Sequence, residues 1–403
     1  MTTARGAAAL AAARSHEPAI VDFLRGMIAI PAESGRERAR CELVAATYRA
    51  LGFDEVFFDE LGTVVARIGS GPFTILFDGH VDCVGVGDPA AWPHDPFRGR
   101  FEDGLVWGRG AVDELPAIAA MAYGARILAD RGVPPGVTLY LTASVMEEDC
   151  DGACLLHLIE RRGVRPDVVV LGEPTDLAVF RGHRGRLEAT ITTRGVSAHG
   201  AHAERGVNAL YAMAPIIEDV AALDARLPRD PFLGKGSVIV SHIACTTPSL
   251  NAVPDSATIT LDRRLTVGET VDSALDELRA LPHLGAAEVA LLHYEAAGWN
   301  GGAVSQDKYY PTWVLEEGHP LVQGVVAAAA EVLGRAPAIS RWHFSTNGVA
   351  TMGRLGIPTV GFAPGREELA HTTEEWVAVD DLVKAAAVYS LIPEFLAGLK
   401  SKM

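Results

Sequence analysis

Cysteine is scarce in this chain and poorly spaced for metal or disulfide work. The five residues, at positions 41, 83, 150, 154 and 245, make no paired zinc-knuckle spacing, and an odd number does not close a disulfide framework. Cys150 and Cys154, four apart, read as buried packing. A reducing, cytoplasmic setting is expected. Positive charge is also short: 35 Lys and Arg stand against 51 Asp and Glu, a formal net charge of −16, with no basic stripe. That argues against a nucleic-acid partner, because sequence-independent binding to phosphates rests on clustered cations. No apolar stretch is long enough to span a bilayer, so no membrane partner is expected. The alanine-rich run over 6–13 is cut off by Arg14, which makes a poor secretory core and a good helix. There is no Gly-x-Ser-x-Gly elbow, which leaves a serine hydrolase without support. Internal repeats and low-complexity linkers are absent too.

What is present is ordinary globular material. A chain of 403 residues, 49% hydrophobic and 21% charged, is longer than one core usually supports, so two domains are expected. Ser34 and Glu37 have the spacing of a capping box before a helix over 37–51. Strand-like runs follow at 55–58, 63–68 and 73–77, and a helix after Asp113. Apolar runs over 137–145 and 168–171 flank a helix near 153–162, an α/β alternation that predicts a sheet covered on both faces. From 186 to 296 the order becomes strand 187–193, helix 208–227, strands 237–245 and 257–265, helix 271–281 and strand 288–294. This β-α-β-β-α-β order is the ferredoxin-like split arrangement. The expected fold class is therefore α/β with two domains: a mixed-sheet domain built from 1–185 and 297–403, and an inserted ferredoxin-like unit over 186–296. The last segment adds a helix over 321–333, a turn around Asn347, a strand over 359–362 and a closing helix from Asp380.

Three apolar strands run into metal-competent side chains: 74–77 into His80 and Asp82, 139–145 into Glu147 and Glu148, 168–171 into Glu173. Ligands of open α/β sheets bind beyond the carboxyl ends of the strands, and divalent ions take imidazole nitrogen and carboxylate oxygen. Each residue also has a plainer reading. His80-Val81-Asp82 alone is a surface loop, Glu147-Glu148 a helix-start pair facing the macrodipole, Asp113 a helix cap with Pro116 early in the helix, Glu173 a turn residue and His371 a loop histidine.

Taken together, the order is His-x-Asp, then Gly-Arg-Gly-x-x-Asp, Glu-Glu, Glu-Pro-Thr and a late His. It resembles the metallopeptidase and deacetylase family of glutamate carboxypeptidase, acetylornithine deacetylase and succinyl-diaminopimelate desuccinylase, over nearly the whole chain. The stretches from Glu147 to Gly152, Arg181 to Gly185 and Phe344 to Gly348 look like its selenium-metabolism-linked hydrolase branch. The resemblance implies an enzyme that hydrolyses an amide-type bond, with two divalent metals, zinc first and cobalt or manganese as alternatives. His80 and Glu173 would hold one ion, Glu148 and His371 the other, with Asp113 bridging. Asp82 would orient His80, and Glu147 would move the proton of the attacking water. His199, in Ser197-Ala198-His199-Gly200-Ala201, would stabilise the oxyanion in a partner subunit's site, which implies a homodimer joined through the inserted lid. Asn251 and Arg264 match a pattern that holds a substrate carboxylate, with an Asp262–Arg264 structural pair as the alternative reading. The chain departs from the family at Leu115-Pro116, where relatives commonly have Lys-Gly. The expected partner is thus a small amide bearing a carboxylate. A non-catalytic metal or amino-acid binder on the same fold is the competing class.

Overall fold

A computed structural model describes residues 2–398. Its larger sheet has nine strands, and the centre is parallel: Phe73–His80 lies between Val137–Ser144 and Val168–Leu171, and Thr359–Gly361 continues beside the latter. These strands are apolar almost throughout, as a sheet buried on both faces requires. Because all four run the same way, their carboxyl ends share one rim. Helices Leu115–Arg131 and Val379–Ala397 cross closely at Gly124, where a Cβ would stand 2.6 Å from that of Tyr389. No helix among the described residues is long and apolar enough to cross a membrane.

The second sheet is antiparallel, in the order Ser237–Thr246, Ser256–Leu265, Gly185–Arg194, Glu288–Leu291. That is the ferredoxin-like order for the expected chain sequence of strands and helices. Strand Ser256–Leu265 alternates as expected: Ala257, Ile259 and Leu261 are buried in a separate core with Met213, Ile216 and Val220 of helix Ala209–Arg226, while Asp262 and Arg264 take the opposite face.

Two sequence expectations need correction, and two strands have no counterpart among them. The 34/37 capping box does not form: helix Arg38–Ala50 has no side-chain cap, and Glu37 is buried instead, accepting from the backbone N–H of Gly35 and Met146. Ser34 donates to Asp82. The strand over 288–294 divides at Leu292, because the backbone leaves the lid sheet there to form His293–Ala297, paired with Ala303–Asp307. Strands Val179–His183 and Ile339–Trp342 escaped the sequence reading, being short and without clear alternation.

Candidate metal centre and its cleft

The shared rim gathers the ligand-type residues. His80 ends its strand, Glu147 and Glu148 follow theirs across Met146, whose φ of 61° turns the chain, and Glu173 lies just past Leu171. His80 Nε2 is 2.9 Å from Asp113 Oδ1, and His371 Nε2 is 3.1 Å from Asp113 Oδ2 and 3.2 Å from Glu148 Oε2. Glu173 Oε1 and Glu147 Oε2 stand 3.8 and 4.0 Å from His80 Nε2. One carboxylate, Asp113, therefore presents an oxygen to each of two imidazoles.

The charge here is lopsided. Asp113, Glu147, Glu148 and Glu173 meet two histidines, and no Lys or Arg among the described residues pairs with any of the four. Burial pushes the Glu147 carboxyl well above the usual range, with Asp151 and Glu173 adding to it; Glu173 is raised by burial and by Glu114. Hydrogen bonds to Asp113 and Glu148 push His371 up to about 10. Glu147 Oε1 is buried with no hydrogen-bond partner among the described residues. Buried like charges without counter-charge are costly, and imidazole with carboxylate is the donor set of hydrolytic dications. The residues fit a pair of divalent ions, with His80, Asp113 and Glu148 near enough for one shared cation, and likewise His80, Glu114 and Glu173.

Supporting groups come from far along the chain. Glu375, buried, accepts from Arg109 Nη1 at 2.7 Å and from the backbone N–H of Gly110, Val112 and Asp113 at 2.9–3.1 Å. This explains the Gly-Arg-Gly run: the loop, with Gly110 at φ 85°, wraps a carboxylate and aims Asp113. Nothing in the sequence marks Glu375, because its partners lie more than 260 positions away. Beneath His80, Asp78 accepts from Thr142, Ser144 and Asn347, whose Oδ1 accepts from Gly152 N–H. The motif around Asn347 thus ties two ligand-bearing segments together. Glu114, also unforeseen, accepts from the His80 backbone N–H. Asp82 sits differently from the expectation: His80 Nδ1 meets its backbone carbonyl at 2.9 Å, with the carboxylate 3.6 Å away. The Asp82 carboxylate instead accepts from the N–H groups of Glu147 and Glu148. Leu115-Pro116 opens a helix, where a proline lacks no needed donor.

Above the rim lies a cleft of about 300 Å³, lined by Asp113, Glu147, Glu148, Glu173 and His371 on one side and by Arg186 and Arg264 of the lid sheet on the other. Arg264 lines it while Nε and Nη2 hold Asp262 at 2.7 and 2.9 Å, so the structural pair with Asp262 is formed. His199 and Asn251 do not line this cleft; they are exposed neighbours, with Gly200 N–H donating to the Asn251 carbonyl.

Residues 76–394 match the family model described as peptidase family M20/M25/M40. The chain is 44% identical over 383 residues to the protein YgeY of Escherichia coli (strain K12), covering 94% of this chain and 95% of that one. It is 29% identical to a succinyl-diaminopimelate desuccinylase of Methylocella silvestris, covering 92% and 96%. In structure it is similar to YXEP of Bacillus subtilis, a dinuclear metal-binding peptidase of the M20 family, with a TM-score of 0.67, 14% identity and coverage of 95% and 99%. The chain belongs to peptidase family M20/M25/M40, a family of dinuclear metal-dependent hydrolases of amide bonds.

Proposed function

We propose that this protein hydrolyses an N-acyl, N-carbamoyl or peptide amide of a small amino-acid-like molecule. His80 and Glu173 would hold one cation, Glu148 and His371 the other, with Asp113 between them. The observation that carries this reading is Asp113, one oxygen toward each histidine. When bound, two divalent ions, zinc first and cobalt or manganese as alternatives, supply Lewis acidity to the scissile carbonyl and acidify a water. Glu147 would take the proton of the attacking water and return it to the leaving nitrogen. Its unpartnered Oε1 and raised proton affinity support the role, and neither is of use to a protein that only binds. Asp82, through the backbone of Glu147 and Glu148, holds the acidic pair in place. Screening metal-loaded protein against N-acyl and N-carbamoyl amino acids and dipeptides tests the proposal; turnover of none of them would count against it.

Arg264 supports a substrate carboxylate beside the amide. Its Nη1 is uncommitted while Asp262 holds the rest of the guanidinium. Removing one partner of a desolvated charge pair costs about 2–5 kcal/mol. Arg264→Ala should therefore lower kcat/KM for an acid substrate by about tenfold or more, at about 1.4 kcal/mol per decade, and spare the matching carboxamide. Equal losses on both would assign Arg264 to its pairing with Asp262 alone.

The division into 1–185, 186–296 and 297–403, with the middle segment as a dimerising lid, is part of the same proposal. Edge strand Ser237–Thr246 leaves Ile239 and Ile243 exposed, and an unpaired apolar edge suits a second copy. His199 Nδ1 accepts from Ala201 N–H, which leaves Nε2 to donate to an oxyanion in the partner's cleft. Mixing a His199→Ala chain with a Glu147→Gln chain should then restore part of the activity, since one composite site keeps both residues. No recovery despite proven subunit exchange would remove His199 from the partner's chemistry. Five free thiols, four of them buried, support a reducing, cytoplasmic setting.

A further inference from the structure

The lid strands place like charges directly opposite one another at the mouth of the cleft. Arg264 of strand Ser256–Leu265 is the register partner of Arg186 on strand Gly185–Arg194, and one step on, Asp262 faces Glu188. Directly opposed side chains on a sheet lie about 4.5–5.5 Å apart at Cβ, and like charges so placed destabilise the pair. A charge grid serving only the fold would alternate signs across the strands. Here the ion pairs run along each strand or to a loop instead. Arg264 holds Asp262, while Arg186 holds Asp151 at 2.6 Å and lies over the Tyr310 ring with its guanidinium carbon 4.4 Å from the centroid. Asp151 is itself buried and fastened by Ser345. Arg186 is therefore clamped on two sides, yet its Nη1, like that of Arg264, has no hydrogen-bond partner among the described residues. Both residues line the cleft.

We propose that Arg186 and Arg264 act as one two-pronged clamp on a single substrate carboxylate, so that Arg186 is a specificity-determining residue of equal weight to Arg264. This rests on the reading of the cleft as the site of an amide hydrolase. Two guanidiniums, each anchored by its own aspartate, present one free Nη1 each to an anion with two oxygens. The anchoring keeps both side chains in position before the substrate arrives, which lowers the ordering cost of binding. An acid would seat one oxygen on each prong. A neutral carboxamide brings one acceptor and one N–H pair, and the N–H pair meets a cation. The chemical class selected is an amide whose amine side carries a free carboxylate.

The test is equilibrium binding, by calorimetry, to metal-loaded protein carrying Glu147→Gln so that the amides stay intact. The probes are N-acetyl-L-amino acids and their matching N-acetyl-L-amino acid amides. At least one acid should bind more tightly than its amide, and Arg186→Gln and Arg264→Ala, added singly, should each weaken that acid about tenfold or more while leaving the amide within about twofold. Arg186→Lys keeps the charge and the Asp151 contact but not the planar fork, and should fall between. An acid that binds Arg186→Gln as tightly as the parent, but loses affinity for Arg264→Ala, overturns the clamp and leaves Arg264 as the carboxylate reader. Acid and amide weakening together in Arg186→Gln, with a lower Tm, overturns it in favour of a structural role. If no acid is preferred over its amide, both the clamp and the carboxylate reading fall. Should Arg186→Gln not fold, Arg186→Lys decides: an unchanged acid-to-amide ratio overturns the clamp, and a ratio reduced about threefold or more supports it.

Discussion

Glu147→Gln is expected to lower kcat by about 10²–10⁴-fold, the usual contribution of a positioned acid-base group, while the protein keeps its metal. The substitution retains size and hydrogen-bonding capacity but cannot accept the proton of the attacking water. Glu147 is well placed to be isolated in this way. Its Oε1 is uncommitted, and its backbone N–H is held by Asp82, so the loop should survive the change. Burial and the neighbouring carboxylates Asp151 and Glu173 raise its proton affinity. The neighbouring Glu148→Gln should do the reverse. Glu148 meets His371 at 3.2 Å, so losing its charge should lower metal content, with activity falling as a consequence. Elemental analysis beside kcat separates the two substitutions. Metal loss in Glu147→Gln with full metal in Glu148→Gln would exchange the two assignments.

Exhaustive chelation is expected to abolish activity altogether, with recovery on adding back zinc, cobalt or manganese, and to lower Tm. The thermal effect follows from the same charge imbalance. Without cations, Asp113, Glu147, Glu148 and Glu173 crowd one buried rim with two histidines as their partners. A ligand that binds only the folded chain adds about 2.7 kcal/mol of stability when its free concentration is about 100 times Kd. Elemental analysis should find close to two ions per chain, and Asp113→Ala should reduce both together, because its two oxygens face the two histidines. A fully active chelated protein would remove the metal reading and the roles built on it. Loss of one ion only in Asp113→Ala would place that aspartate on a single metal.

The roles of the supporting residues follow from where hydrogen bonds go. Glu375 satisfies three backbone donors and a guanidinium of the loop that carries Asp113, and Asn347 joins Asp78 to Gly152. His183 ties the 181–185 stretch to the 344–348 stretch: burial pushes it down to about 3, so it is neutral, and its Nδ1 accepts from Thr346 N–H. That contact sets the turn from which Ser345 holds Asp151, the anchor of Arg186.

The sequence by itself determined the architecture and the side chains that meet at the rim. Short apolar runs rich in β-branched residues and without alternation read as strands buried on both faces, and parallel strands of that kind bring their carboxyl ends together, so His80, Glu147, Glu148 and Glu173 are readable as one cluster. The β-α-β-β-α-β order likewise points to its sheet order, because each strand–helix–strand crossover leaves room for one strand of the other crossover between its own two. What only the tertiary structure decided is which donor meets which acceptor. Glu37 was readable as a helix cap but is spent on Met146, Asp82 turns its carboxylate to a neighbouring loop and its carbonyl to His80, and Glu375 serves residues more than 260 positions earlier. The pairing of Arg186 with Arg264 is of the same kind: the sequence marks Arg264 alone, leaves Arg186 just outside the expected strand over 187–193, and only strand register sets the two side by side. Periodicity reports the face a side chain takes, which is local, whereas a hydrogen bond or a charge pair depends on separations of a few ångströms between segments that the chain keeps far apart.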